Sequence, residues 1–276
     1  MLKNWHGGKP YTGDVFPKHF SNTELKLLRQ RYQDIPEEFY RKTKLPVVTP
    51  ENHAAFLEAH KSLQVTWVLQ EQFSGSGRVS WESYSLGLST LFPVDLRYGW
   101  DLTLPAHRKM IDLTRMTLHP LVKLSAPDCR HWTSMTNANP DREGLDLARK
   151  REFPMLDWLC YDNKQQAITG YGYLNENGKL SQIWTRSPLT HNEDIPGNKS
   201  FHTDGCSFGL TNQDEIPLLK FYRLDSNLKL HKSVKRCPGH GDVKHGEISG
   251  RTTASTTVYT SKLAKALVAD IHSFAK

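Results

Sequence analysis

Residues 65–95 constrain the fold of this chain more than any other stretch. Val65 to Gln72 is a β-rich run, Val-Thr-Trp-Val-Leu-Gln-Glu-Gln, that ends in Phe73-Ser-Gly-Ser-Gly77. A helix is predicted from about Arg78 to Leu86, stopped by Gly87, and Ser89-Thr-Leu-Phe-Pro-Val-Asp95 reads as a short apolar strand ending in an acid. A strand, a glycine turn, a helix and a second strand make a crossover unit, which builds an α/β sheet covered by helices. The glycines let backbone approach a ligand closely, and the helix start offers free N–H groups. Asp95, at the tip of the next strand, is placed to bind ribose hydroxyls. The turn is shorter than a dinucleotide fingerprint, and no Gly-Lys-Ser/Thr phosphate loop occurs. A nucleoside cofactor without phosphates therefore fits it better.

The pattern continues downstream. Met110, Ile111, Leu113 and Met116 give Pro105 to Leu118 helical spacing. Leu121-Val-Lys-Leu-Ser125 then reads as a buried strand that runs into Ala126-Pro-Asp-Cys129. A thiol so placed sits at the carboxyl edge of a sheet, where open α/β proteins bind ligands. Residues 139–150 read as loop then helix, and Phe153 to Cys160 as a packed helix. Gln166 to Leu174 is the next expected strand, and it delivers Glu176 to the same edge as Cys129. Leu218 to Leu224 is a further strand with basic residues, and Ser261 to His272 an amphipathic helix. The expected organisation is a helical N-terminal extension over 1–63, with Ser21-Asn-Thr-Glu24 as a capping box, then an α/β domain over 64–276.

The bulk numbers narrow the class. With 276 residues the chain can bury a sizeable core. Its net charge of +7 suits a polyanionic partner such as nucleic acid. No apolar run approaches the ~20 residues that span a bilayer, and Met1-Leu-Lys-Asn-Trp-His lacks the apolar core of a signal peptide. The expectation is an intracellular protein, nuclear or cytoplasmic, with no membrane contact. Four widely spaced cysteines without a CxxC pair argue against a disulfide framework. Cys237-Pro-Gly-His240 and His245, with His202, Asp204 and Cys206 upstream, contain zinc-ligand residue types. Their spacing is irregular, so a polar loop without metal is expected.

Together these motifs resemble the cytosine-C5 DNA methyltransferases of the class I S-adenosylmethionine-dependent fold. Glu71-Gln-Phe-Ser-Gly-Ser-Gly77 resembles that family's D-x-F-x-G-x-G cofactor loop, and Ala126-Pro-Asp-Cys-Arg-His-Trp-Thr133 its G-P-P-C-Q-G-F-S nucleophile loop. Asn175-Glu-Asn177 resembles the E-N-V strand end, Lys220-Phe-Tyr-Arg223 the basic strand, and Val258 to Leu267 the closing helix. The match covers roughly residues 64–276 and is also similar to methyltransferase-like domains of retrotransposon polyproteins. The resemblance implies a mostly parallel Rossmann-like sheet with helices on both faces, S-adenosylmethionine as cofactor and DNA as partner. It implies Cys129 as nucleophile, Glu176 as acid, and Arg223, with Lys220, as residues that orient the target base or a phosphate. It further implies Glu71, Phe73, Ser74, Gly75, Gly77, Asp95 and Pro127 as the cofactor wall.

Four departures bear on function. Asp128 replaces the second proline and puts a negative charge beside the thiol. Asn177-Gly178 follows the acid where the family has asparagine-valine, and the basic strand lacks its glutamine. Residues 225–255 are all that stand for a target-recognition region, so a protein partner is a candidate for that role. Three readings stay open: an active cytosine methyltransferase, a nucleic-acid-binding module with decayed chemistry, or a methyltransferase for another base position with Cys129 incidental. Cys129 can also be a buried structural cysteine, and Asn175-Glu-Asn-Gly178 a hairpin turn.

Overall fold

A computed structural model describes residues 19–26, 48–138, 140–248 and 256–276. Its centre is a five-stranded sheet in the order β1-β2-β3-β5-β4. The strands are β1 (Leu69–Gln72), β2 (Val122–Ser125), β3 (Gly172–Gly178), β4 (Lys199–Asp204) and β5 (Phe221–Ser226). β1, β2 and β3 pair in parallel, and β5 runs antiparallel to both β3 and β4. Four of the five strands therefore point the same way. The helices are α1 (His53–His60), α2 (Arg78–Ser85), α3 (Pro105–Leu118), α4 (Arg142–Ile168), the single turn α5 (Ile183–Arg186) and α6 (Ser261–Phe274).

The expected second strand of the crossover is reduced to two bridges. Leu69 pairs with Thr90 and Gln72 with Val94, both in parallel. Pro93 interrupts the run and has no N–H for a ladder. The bridges still place residues 90–94 on the side of β1 away from β2. The chain thus leaves β1 to one side, then returns across it to β2. That reversal makes the carboxyl end of β1 a topological switch point, the place where open α/β sheets bind ligands.

Helices cover both faces, each by an apolar stripe. Leu263, Leu267 and Ile271 of α6 and Val79 of α2 pack on Leu69, Val122, Leu124 and Leu224. Ile111 of α3, and Leu156 and Leu159 of α4, pack with Tyr173 on the opposite face. Val48 and Phe56 join this second cluster, so α1 covers the sheet. The helix ends follow local chemistry. Thr260 caps α6 by accepting from the Leu263 N–H, and α3 opens on Pro105 and ends where His119 turns left-handed at φ 47°. Ser21 and Glu24 form the expected capping box, with Ser21 N donating to Glu24 Oε2 at 2.8 Å and Glu24 N to Ser21 Oγ at 3.3 Å. The remainder of the helix expected there, and residues 42–47 of an extended connector expected over Lys42 to Pro50, lie outside the described residues.

Several expectations are corrected. The polar stretch after residue 139 and the helix over 153–160 form one 27-residue helix, α4, with Pro154 inside it. Proline removes one internal hydrogen bond, but the orphaned carbonyl belongs to Lys150, which is exposed and reaches water. Residues 166–168 end α4, and β3 starts later and runs further than expected, to Gly178. Asn175-Glu-Asn-Gly178 is therefore the carboxyl end of β3 and not a hairpin turn. Glu176 pairs with Leu224 and Gly178 with Tyr222 inside the ladder. β4 is an edge strand that the sequence reading missed altogether. No described helix is long and apolar enough to cross a membrane.

Candidate active site

Three loops meet at the carboxyl edge of β1, β2 and β3. The first is Phe73 to Gly77. Phe73, Gly75 and Gly77 all have positive φ, at 51°, 52° and 65°. Glycine takes this conformation freely, whereas for phenylalanine it is strained. A Cβ at Gly77 would stand 3.0 Å from the Tyr98 hydroxyl, while one at Gly75 would meet nothing within 4 Å. Gly75 thus borders open space, and Gly77 is the point of close packing. The Ser74 amide donates to the Val94 carbonyl at 3.1 Å. Its hydroxyl is buried without a hydrogen-bond partner among the described residues.

Glu71 and Asp95 hold this loop from two sides. The Glu71 carboxylate accepts from Ser80 N and Ser80 Oγ, both at 2.7 Å, and so caps the start of α2 from within the sheet. Burial pushes its carboxyl up to about 7, against the pull of these hydrogen bonds. Glu71 is thus an internal brace for the loop rather than a group turned toward open space. Asp95 accepts from the Gly75 amide at 2.9 Å and from the Arg97 amide at 3.1 Å. It stays partly exposed at the tip.

The second loop carries Cys129. It leaves β2 with the Ala126 amide donating to the Gln72 carbonyl at 3.2 Å. The Pro127 carbonyl accepts from Asn177 Nδ2 at 2.7 Å, which ties the loop to the end of β3. Beyond Cys129, Trp132 is fully buried and donates to Glu152 at 2.6 Å. His131 bonds the same carboxylate, also at 2.6 Å, and Arg149 donates to the His131 carbonyl at 2.8 Å. Arg149 and Glu152 are α4 residues, so the long helix fixes the loop. The thiol itself is half-buried.

The third element is the overhang of β3. Its partner β2 ends at Ser125, opposite Asn175, so residues 176–178 pair only with β5. Glu176 accepts from the Tyr259 hydroxyl at 2.5 Å. Burial raises its carboxyl above the usual range, opposed by the Lys220 charge and by the Tyr259 bond. Tyr222, fully buried, is held well above the usual phenol range first by burial, then by the nearby charges of Glu176 and Cys129.

Of the basic pair, the structure brings Lys220 to this group and not Arg223. Lys220 lies 5.0 Å from the Tyr222 ring centroid and donates to the Thr256 carbonyl at 2.6 Å. Arg223 alternates to the other face of β5. There it grips Asp225 with bonds of 2.7 and 2.9 Å and stacks on Trp184 at 4.6 Å. Its guanidinium serves the sheet. Tyr222 and Tyr259 were missed by the sequence reading. The register of β5 against β3 brings Tyr222 to this edge, and the hydroxyl bond to Glu176 brings Tyr259.

A concavity of about 510 Å³ lies at the opposite, amino edge, lined by Trp67, His119 and Tyr171 among others. It holds neither thiol nor carboxyl, and parallel strands place their ligands at the other edge. Fold and site together define a mixed α/β protein with a half-buried thiol, a half-buried acid and two phenols at the carboxyl edge of its sheet. No family model matches the chain, and no curated protein matches it.

Proposed function

We propose that the protein transfers a methyl group from S-adenosylmethionine to a nucleic-acid base, cytosine C5 in DNA, through a covalent Cys129 adduct. The single observation that carries this reading is the 2.7 Å bond from Asn177 Nδ2 to the Pro127 carbonyl, which ties the Cys129 loop to the strand end that bears Glu176. A thiol and a carboxyl raised above the usual range, brought to one edge of the sheet, are what addition to a pyrimidine ring requires.

The chain's residues have these parts. The Cys129 thiolate bonds to C6. The C5=C6 electron pair shifts to C4=C5, and the C4=N3 pair takes the Glu176 proton at N3. C5 is then the nucleophile. Once it is methylated, C5 gives up its proton to water, the sulfur leaves as thiolate, and Glu176 recovers the proton from N3. When bound, S-adenosylmethionine supplies a methyl on a positively charged sulfur. Two features support a fit for it at the first loop: the open space beside Gly75 and the unpartnered Ser74 hydroxyl. Asp95 would take the ribose diol. Lys220 takes the part first assigned to Arg223 and favours the negative charge that builds on the ring. A duplex base would have to be flipped out to reach the sulfur.

The test is labelled S-adenosylmethionine with oligonucleotides containing 5-fluorocytosine, single- and double-stranded. Fluorine at C5 blocks the final proton loss and traps the adduct. The expected result is a covalent complex that Cys129→Ser abolishes and Glu176→Gln slows by a factor on the order of 10² to 10⁴. An adduct that survives Cys129→Ser, or none with either substrate, sinks the reading. One observation favours a second reading, a binding module without transfer. Asp128 adjoins Cys129 and accepts from the Arg130 amide at 3.0 Å, and its negative charge works against a thiolate. Nucleic-acid binding with neither adduct nor methyl transfer is the signature of that reading.

A further inference from the structure

Away from Cys129, a second group of reactive side chains gathers where β4 ends. Cys206 lies in the short turn Gly205–Phe208 that follows this strand. Cys237, His240 and His245 come from the loop after β5. One ligand atom from each of the four lies within 4.8 Å of all the others. Cys237 Sγ is 3.4 Å from His240 Nε2 and 3.5 Å from His245 Nε2. Both cysteines are free thiols.

These distances are the edges of a small tetrahedron. Zinc bonds of about 2.3 Å to sulfur and about 2.0 to 2.1 Å to nitrogen, at the tetrahedral angle, put a sulfur–nitrogen edge at about 3.6 Å. The two imidazoles reach that edge length with rings nearly perpendicular, at 84°, and centroids 5.0 Å apart. Hydrophobic packing does not aim two ring nitrogens at one sulfur.

The surrounding backbone is built to hold this geometry. Gly239 turns left-handed at φ 88°, which folds Cys-Pro-Gly-His back on itself and brings His240 to Cys237. The Gly239 amide donates to Cys237 Sγ at 3.4 Å, the kind of outer contact that orients a metal-bound thiolate. The Cys237 amide donates to Asp204 Oδ2 at 2.8 Å. Thr203 Oγ1 donates to the Lys235 carbonyl and accepts from the Lys235 amide, both at 3.0 Å. Both arms of the cluster are thus anchored on β4.

We infer that Cys206, Cys237, His240 and His245 form a structural zinc site that clamps the loop after β5 to the end of β4. Zinc is the metal suited to two thiolates and two imidazoles in a tetrahedron. The two thiolates cancel its charge, each thiol giving up its proton on binding. Four protein ligands leave no open position, so the ion's role is structural. β4 runs with β1, β2 and β3, which puts the clamp on the same edge of the sheet as Cys129. The Gly205 amide donates to the Lys220 carbonyl at 2.8 Å, so the clamped turn also supports the residue beside Glu176.

The test uses the full chain, purified without chelator from zinc-supplemented medium. Expected are one zinc per chain by elemental analysis and, after exchange for cobalt, the intense visible absorption of a tetrahedral site with thiolate charge transfer in the near ultraviolet. Cys237→Ser should lose both signals. If that variant unfolds, His240→Cys provides the second arm. It should keep one zinc per chain and strengthen the thiolate band, because three thiolates replace two. Cys160→Ala, remote from the cluster, should leave the zinc content unchanged. A folded chain without zinc whose cobalt form stays pale and octahedral overturns the inference. So does a Cys206–Cys237 disulfide, seen as a mass loss of two hydrogens with both thiols blocked, or zinc lost in Cys160→Ala. None of these readouts depends on methyl transfer.

Discussion

Glu71→Gln, followed across pH, tests the reading of the glycine loop most directly. Glu71 is buried, and its carboxyl titrates at about 7 in the folded chain against 4.5 as its ordinary value. An acid with a raised folded value binds more protons when folded. Its contribution to stability is therefore present below pH 4.5 and is lost as the pH rises toward 7. A tenfold change in proton affinity is about 1.4 kcal/mol, so the loss amounts to about 3 kcal/mol. The total stability profile will hide this. His53, buried against the Thr114 hydroxyl at 2.7 Å, is depressed from 6.5 to about 4 by burial. A histidine depressed on folding costs stability at low pH and stops costing it as pH rises past 6.5, so it opposes Glu71 in the same window. Only the difference between wild type and Glu71→Gln isolates the carboxyl. Urea unfolding followed by tryptophan fluorescence between pH 4.5 and 8 supplies that difference. The variant should gain about 3 kcal/mol relative to wild type between pH 4.5 and 7, then hold constant. A flat difference would refute the claim that β1 buries a strained carboxyl under the start of α2.

Other substitutions probe the same edge and its supports. Tyr259→Phe removes the hydroxyl that favours ionised Glu176, so the alkaline limb of adduct formation should move to higher pH; an unmoved limb would detach Glu176 from the proton transfer. Gly77→Ala should cost about 1–2 kcal/mol, from its left-handed backbone and the 3.0 Å approach to Tyr98, and Gly75→Ala only about 1 kcal/mol. Equal losses by thermal denaturation would contradict the packing described at Gly77. Asp270 of α6 accepts from the amides of His231, Lys232 and Ser233 and from Ser233 Oγ. Because residues 231 and 232 are exposed and recover water, Asp270→Ala should cost about 2–3 kcal/mol, carried chiefly by buried Ser233. A loss below 0.5 kcal/mol, on the order of a surface substitution, would argue that α6 does not anchor that loop.

What could be read from the residues alone was whatever depends on near neighbours in the chain. The stripe of α6, the proline start of α3 and the positive-φ glycines after β1 are local consequences of side-chain spacing and backbone sterics. They were legible, and with them the mixed α/β architecture and the carboxyl-edge position of Cys129. Register and pairing were not. Glu176 sits in a stretch whose composition favours a turn, yet cross-strand bonds to β5 hold it extended. Arg223 was expected ahead of Lys220 beside the reacting groups, but alternation along β5 sends Arg223 to Trp184 and leaves Lys220 beside Tyr222. Cys206 and Cys237 are separated by a whole strand, and no spacing rule joins them; the return of the chain along β4 does. Local sterics act over a few residues and leave their mark in sequence. Long-range pairing is decided by the total burial and hydrogen bonding of the sheet, which only the folded chain settles.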